Sequence, residues 1–356
     1  MGVRRCGSVR DKRTTSDFPR AVEIARWIRD RNPDAKIIAG GPHATLCPSE
    51  FLENGFDIVC VGDGEACVSQ LNDGSRVIEG WLTNIDAYHP DRNAVDLWDY
   101  EFRIDGERAT SMISARGCSY ARCHFCSRWD RHVRFHSPEY VGKEIKDIVE
   151  HGFKAIALYD DEFFTNPKRD EQIVGVLGKH DMVWRCFGHT KYVLKNRELV
   201  KQASRNGLRE VLLGIESGSD HILRVINKGA TVKENIEAIE FLHELGIRVK
   251  NAMMVGLPSE SEETLKETWK FCEKVEPYTS DWDFCPFVPY PGSRIYEHPE
   301  LFDISFKAQD TYRAYKGMHA EGWEPLRIST SKLNFERIME FREHLEERFK
   351  YGGREG

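Results

Sequence analysis

Three cysteines stand within nine residues in Cys118-Ser-Tyr-Ala-Arg-Cys123-His-Phe-Cys126, directly after the apolar stretch Met112-Ile113-Ser114-Ala115. Three thiolates on one short loop can hold three irons of a cubane cluster and leave the fourth iron without a protein ligand. An open iron is what a small molecule needs to bind the cluster and receive an electron from it. The same C-x4-C-x2-C spacing could instead hold zinc, with His124, His132 or His136 as a fourth ligand. Zinc modules usually carry a second ligand pair close by, whereas the only C-x2-C pair here is Cys123/Cys126. The loop alone favours iron–sulfur and leaves zinc open.

Such a loop needs a rigid element behind it. From Thr110 a strand–helix rhythm begins, with strands expected at 111–115, 155–159, 183–188, 210–214, 248–255 and 283–288. Helical stretches are expected between them at 138–151, 170–179, 197–206, 233–245 and 262–275. Six strands alternating with helices imply a parallel sheet with right-handed crossovers. Six units in place of eight imply a partial, TIM-like (β/α)6 barrel, with chemistry at the carboxyl ends of its strands. The cysteine loop falls at such an end.

Ahead of the barrel, residues 18–72 read as helix, strand, glycine turn, helix and strand, a fragment of a Rossmann-like α/β layer. Gly40-Gly41-Pro42-His43 and Gly62-Asp63-Gly64-Glu65 are turns at the carboxyl ends of its strands, the edge that ligands favour in such sheets. Residues 73–109 are poorly periodic and rich in turn formers, so they read as a linker; 110–295 form the barrel and 296–356 a C-terminal extension. In that extension Phe335, Ile338, Phe341, Leu345 and Phe349 share one helical face, expected to pack on the barrel.

The chain has 356 residues and a net charge of −7, with 40% hydrophobic and 31% charged residues, values ordinary for a soluble globular protein. The acidic balance gives no global attraction to nucleic acid, and no stretch approaches the ~20 apolar residues of a membrane span. Ten cysteines without a signal segment fit a reducing cytoplasm. Cys6, Cys47, Cys60, Cys67, Cys186, Cys272 and Cys285 show no ligand spacing and read as packing residues, and the basic run from Arg4 to Arg13 reads as a solvated terminal segment.

The cysteine loop and the later strand-end motifs, taken in order, resemble the radical S-adenosylmethionine (SAM) superfamily, and within it the branch with a cobalamin-binding domain ahead of the barrel. The carriers are Gly40-Gly41-Pro42-His43-Ala44-Thr45, Gly62-Asp63-Gly64-Glu65, Ala115-Arg116-Gly117-Cys118, Tyr159-Asp160-Asp161-Glu162-Phe163, Gly214-Ile215-Glu216-Ser217-Gly218, Asn227-Lys228-Gly229, Val255-Gly256-Leu257-Pro258 and Pro289-Tyr290-Pro291-Gly292. The resemblance implies a 4Fe–4S cluster on Cys118, Cys123 and Cys126, with SAM on the remaining iron. It implies reductive cleavage of SAM to methionine and a 5′-deoxyadenosyl radical. Phe125 would lie near the adenine, and Asp160, Asp161 and Glu162 would face the SAM amino group, unless they merely cap a helix. Glu216 and Ser217 match the ribose and methionine contacts. Lys228 matches a partner for the SAM carboxylate, with a plain surface lysine as the alternative. Val255, Gly256 and Leu257 match the segment whose backbone lines the adenine, where a side chain on Gly256 would obstruct approach. Trp184, Arg185, His189, Asp283 and Tyr290 could shape a substrate pocket or be ordinary core and rim.

The chain departs from the family in two places. The usual spacing is C-x3-C-x2-C, so the loop here carries one extra residue. The early Asp-x-His-x-x-Gly motif of cobalamin-binding relatives is missing, the first histidine being His43. By pattern the chain enters that domain more than halfway through. A fragmentary product, a structural remnant and a lobe completed by another chain all remain open. Half a layer cannot form the crevice, so stable cobalamin binding by this chain alone is not expected. The resemblance further implies a small-molecule or peptide-derived substrate and an electron donor such as flavodoxin or ferredoxin. Methyl transfer follows if cobalamin binds. The rival reading is a non-catalytic iron–sulfur or zinc protein on a degenerate scaffold.

Overall fold

The computed structural model describes residues 18–127, 130, 132–307 and 324–351. Cys6 and the basic run from Arg4 to Arg13 lie outside the described residues. The chain divides into two compact units, one taking in residues up to 82 with 288–292 and 307–327, the other 83–287, 293–306 and 328–356.

The first unit runs α1 (Phe18–Arg31), β1 (Ile38–Gly40), α2 (Pro42–Leu46), α3 (Pro48–Glu53), β2 (Ile58–Gly62), α4 (Gly64–Cys67) and β3 (Val77–Gly80). Its three strands are parallel in the order β1-β2-β3. Phe18, Val22 and Ala25 on one face of α1 pack with Ala39, Phe51, Phe56 and Val59 in a core of their own. Residues 73–109, read as a linker, hold β3, whose Val77 pairs with Val59 and whose Gly80 pairs with Gly62. Four residues after the turn formers Asp73-Gly74-Ser75 give too short an alternation to be read as a strand from sequence. The turn at Gly40-Gly41 is followed at once by α2, with Pro42 at its first position.

The second unit begins with the hairpin β4 (Arg103–Ile104) and β5 (Glu107–Met112), then the short ribbon β6 (Ala115–Arg116) and β7 (Arg134–Phe135) that brackets the cysteine loop. The repeats follow as α5 (Pro138–Glu150), β8 (Ala155–Leu158), α6 (Pro167–Lys179), β9 (Val183–Gly188), α7 (Thr190–Lys195), α8 (Arg197–Arg205), β10 (Leu208–Glu216), α9 (Asp220–Val225), α10 (Val232–Glu244), β11 (Arg248–Val255), α11 (Glu262–Val275) and β12 (Asp281–Pro286). After α12 (Arg294–Glu297) comes the last helix, α13 (Phe335–Leu345), which runs on into a wider turn over Glu346–Tyr351. The sheet order is β12-β11-β10-β9-β8-β5-β4, six parallel strands with one antiparallel edge, a partial TIM-like barrel. The first of the six starts at Glu107 and ends at Met112, not 111–115, because the Asp105-Gly106 turn pairs it with β4. The last runs Asp281–Pro286, two residues before its expected place.

Local chemistry sets the helix starts. Ser137 caps α5 by accepting from the Tyr140 amide, with Pro138 at the first position. Thr231 with Glu234, and Ser261 with Thr264, close reciprocal boxes at the starts of α10 and α11. Alternation then splits the sheet into two faces. Trp184, Cys186, Val211, Leu213, Val249, Met253, Trp282 and Phe284 enter the core beneath the helices. Their neighbours Arg185, Phe187, Leu212, Lys250, Asp281 and Asp283 are half-buried on the other face. Ile338, Phe341, Leu345 and Phe349 join that same core, so the C-terminal helix packs on the barrel as its stripe implied, while Phe335 stays half-exposed.

Candidate functional site

The cysteine loop is anchored from below by a buried polar network. Asp160, at the end of β8, accepts from the amides of Ser114 (2.5 Å) and Ala115 (3.0 Å) and from the Ser114 hydroxyl (2.5 Å). Arg169 donates to the carbonyls of Ser114 and His136 and to Asp170, which accepts from the Asn166 amide at 2.9 Å. Residues up to 55 positions apart thus fix where the chain leaves β5. Gly117 then turns at φ +89°, where a Cβ would stand 3.0 Å from the His132 carbonyl. Within the loop Ala121 takes a left-handed φ of +42° and points its amide at Cys118 Sγ, 3.4 Å away.

Tyr120 holds the loop from the side. Its hydroxyl donates to the Asn227 carbonyl (3.0 Å), and its ring lies over Gly229, where a Cβ would stand 2.3 Å from the hydroxyl. Behind it, His189 accepts at Nδ1 from the Lys191 amide (3.1 Å) and lies with Nε2 2.9 Å from the Lys228 carbonyl. With Nδ1 an acceptor, Nε2 carries the proton and donates. Burial, with the Lys228 cation beside it, pushes His189 down to about 4, so it stays neutral. Tyr120 and Lys191 were not singled out from sequence; Tyr120 sits inside the loop motif, which was its only signal.

Next to the loop is a buried ion pair. Lys228 Nζ lies 2.8 Å from Glu216 Oε1, with both side chains about nine-tenths buried. This burial overturns the surface-lysine alternative. A register shift in β10 between Gly214 and Glu216 puts Glu216 at φ +67°. Gly214 makes room, since a Cβ there would stand 2.6 Å from the carboxylate and 2.8 Å from the ammonium. Burial works to discharge Lys228, but Glu216, the Cys123 thiol and Glu162 more than offset it and hold the ammonium charged. Its Nζ also sits 5.8 Å from the Phe125 ring. Glu162 is buried with Oε2 3.8 Å from Cys118 Sγ, and desolvation lifts it to about 7 against the pull of Lys228. Asp161 beside it is exposed.

Desolvation raises all three loop thiols, Cys123 to about 11. Cys123 is buried, Cys118 half-buried and Cys126 exposed, and at Cys126 the neighbouring Cys123 and Cys118 thiols and Asp161 add to the upward push. A loop that crowds thiols while opposing their ionisation suits a cationic metal centre, which reverses that cost. Among the described residues the three sulfurs are not all within 4.8 Å of one another. A single tetrahedral zinc would draw them to about 3.8 Å, whereas a cluster holds each cysteine on a separate iron. His124 is engaged by the Val225 carbonyl (2.9 Å) and Arg294, and buried His136 by Asp86 (2.9 Å). The donor set therefore fits a multi-iron cluster better than one zinc ion.

Several expected contacts are turned elsewhere. The Asp160 oxygens accept from Ser114 and Ala115, so its carboxylate positions the chain at that point. The Ser217 hydroxyl is buried between Thr268 (3.4 Å) and the Ser219 amide (3.2 Å). Gly256 has φ +91°, and a Cβ there would meet Ile338 at 3.2 Å, a close approach to α13. Its amide donates to Glu260 (2.7 Å); the Val255 carbonyl accepts from Phe287, and Val255 and Leu257 are buried. Trp184 is core, its indole donating to the Asn206 carbonyl. Arg185 pairs with Glu210 and Asp283 with Lys250 on the half-buried sheet face, and Tyr290 belongs to the first unit.

Comparison with known proteins follows the same lines. Residues 112–272 match the Radical SAM superfamily and residues 9–72 the B12 binding domain. The chain is 29% identical over 325 residues to the anaerobic magnesium-protoporphyrin IX monomethyl ester cyclase of Cereibacter sphaeroides, covering 80% of this chain and 52% of the cyclase. It is 28% identical over 319 residues to an uncharacterized methyltransferase of Pyrococcus horikoshii, covering 80% and 67%. The chain thus spans between half and two thirds of these relatives. Its fold is similar to the radical S-adenosylmethionine methyltransferase TsrM from Kitasatospora setae, solved with cobalamin and a [4Fe-4S] cluster, at TM-score 0.72 and 15% identity, covering 92% of this chain and 76% of that one. No helix among the described residues is long and apolar enough to cross a membrane.

Proposed function

From a chain that belongs to the radical SAM superfamily and carries a match to the B12 binding domain, we propose an enzyme in which Cys118, Cys123 and Cys126 hold a 4Fe–4S cluster and SAM seats beside it. When bound, that cluster supplies the electron that cleaves SAM to methionine and a 5′-deoxyadenosyl radical. The observation that carries this reading is the buried Lys228–Glu216 pair, with Phe125 and Glu162, beside a loop of three crowded thiols.

The protein's own residues have distinct tasks. Lys228, kept charged, offers a fixed cation to a carboxylate, and Glu216 opposite it offers acceptors to hydroxyls or an ammonium. Glu162, lifted to about 7 by desolvation, ionises when a cation comes beside it. Phe125 offers a flat apolar face. Tyr120 and neutral His189 hold the loop against the Asn227-Lys228-Gly229 segment. The substrate is a small or peptide-derived organic molecule, reached over the half-buried sheet face that carries Arg185, Lys250 and Asp283. One-electron carriers such as flavodoxin or ferredoxin supply the reductant. Methyl transfer is the subtype if cobalamin joins the first unit.

The test is anaerobic reconstitution with iron and sulfide, dithionite reduction, and assay of 5′-deoxyadenosine from SAM. Wild type is expected to form it and Cys126→Ala to lose it. A cluster without cleavage would favour the degenerate-scaffold reading, and a colourless chain with one tight zinc would overturn the proposal. Retention of added aquocobalamin through gel filtration separates the methyltransferase subtype from the rest.

A further inference from the structure

The first unit contains a second constellation of metal-ligand atoms, built on the two short helices that follow β1. A histidine nitrogen of His43, the sulfur of Cys47 and a carboxylate oxygen of Glu50 all lie within 4.8 Å of one another. Spacings of four and three residues bring them to one side, and the Cys47 amide donates to the His43 carbonyl (2.8 Å) at the junction of α2 and α3.

His43 is 2% exposed, between the rings of Phe18 (5.1 Å) and Phe51 (5.6 Å). Neither of its ring nitrogens has a hydrogen-bond partner. Nε2 stands 3.3 Å from Glu50 Oε2, close enough for an ion pair but outside hydrogen-bond geometry. A buried imidazole is normally satisfied, because leaving its nitrogens bare forfeits the hydrogen bonds that water gave them. Beside it stand a carboxylate and a thiol, each within 4.8 Å of a ring nitrogen. A tetrahedral ion with bonds of ~2.0–2.3 Å holds its ligand atoms roughly 3.3–3.8 Å apart. The observed spacing needs only a small contraction.

We propose that His43, Cys47 and Glu50 form a site for a single borderline-soft divalent cation of the zinc class, separate from the cysteine loop. One nitrogen, one thiolate and one carboxylate suit zinc, cobalt(II) or nickel(II), and disfavour the hard ions calcium and magnesium. Three protein ligands leave a fourth position for water or another donor, with Cys47 and Glu50 both half-exposed. Binding releases the Cys47 proton, so uptake strengthens as pH rises. The ion would join α2 to α3 beneath Phe18 and steady the turn after Gly40-Gly41. Cys47, read from sequence as a packing residue, becomes a ligand.

Cobalt(II) is the probe, used on the full chain with Cys118, Cys123 and Cys126 replaced by serine to silence the loop. One equivalent is expected to bind with a thiolate-to-cobalt charge-transfer band that zinc bleaches. Cys47→Ser should abolish the band. His43→Gln and Glu50→Gln should weaken cobalt binding about 10- to 100-fold or more. In the unsubstituted chain, zinc should slow alkylation of Cys47 about tenfold or more, with no protection in Glu50→Gln. This second measurement needs no folded triple variant. A cobalt band that survives Cys47→Ser, or Cys47 alkylation that zinc leaves unchanged, overturns the site. Neither readout depends on SAM cleavage, so the radical SAM proposal can fail while this one stands.

Discussion

Lys228 carries a charge where a charge is expensive. It is buried against Glu216 at 2.8 Å, with Glu162 and the Cys123 thiol nearby. Removing one member strands the other, which costs about 3–5 kcal/mol, whereas removing both can be close to neutral. Lys228→Met is therefore expected to lower stability by that amount in denaturant titration. The double variant Lys228→Met/Glu216→Gln should recover at least half of it. A loss in the double variant equal to the sum of the two single losses would mean that the pair is not coupled. Lys228 and Glu216 are 12 positions apart and were matched only by motif, yet they meet beside the cysteine loop. Ser217, next to Glu216, was matched by the same motif and points the other way, into Thr268. A motif names the strand end; the local bulge decides which side chain faces the site.

The ends of the strands are held by buried acids, and these make two predictions. Asp160→Ala removes the acceptor for two amides and a hydroxyl, an expected loss of about 3–5 kcal/mol. If Asp160 positions the loop, Asp160→Asn should lower iron retained per chain together with stability. A variant that keeps full iron but loses SAM affinity would restore a direct contact. Glu260, in the loop between β11 and α11, is fully buried and accepts from the Gly256 amide; burial lifts it from 4.5 to about 8. The folded chain then keeps a proton that the unfolded chain has lost. Stability from this group is fully present below about pH 4.5 and falls, by up to about 1.4 kcal/mol per pH unit, until about pH 8. Glu260→Gln should flatten that decline, gaining on wild type between pH 5 and pH 8 in unfolding midpoints; parallel profiles would show that Glu260 is ionised in the fold. Elements such as β9 and β11 were legible because alternation and flanking helices agree over six to eight residues. Arg169 reaching the Ser114 carbonyl across 55 positions, and β3 with its four residues, left no comparable periodic trace.

At the scale of the whole chain, two separate cores imply that damage to one need not spread to the other. The first unit has its own cluster around Phe18, Phe51 and Val59, while α13 and the turn after it belong to the barrel core. Phe349 is the last large side chain of that core. Its ring lies 5.2 Å from Trp269 on α11 and 5.8 Å from Trp282 on β12, and Trp282 in turn stacks on Phe284 at 5.3 Å. Ile338, one face over, closes on Gly256 at the end of β11. A helix from the C-terminal extension therefore covers the last two strands of an open sheet, whose outer edge would otherwise expose apolar surface and unpaired backbone. Phe349→Ala should cost about 3–5 kcal/mol, the usual range for emptying an aromatic site in a packed core. Hydrogen exchange can show where that loss falls. Amides of β11 and β12 should lose protection while those of β1 and β2 keep theirs, because local stability follows the core to which an element belongs. An even loss across both units would mean that they unfold as one, and that the C-terminal helix supports more of the molecule than its own contacts reach.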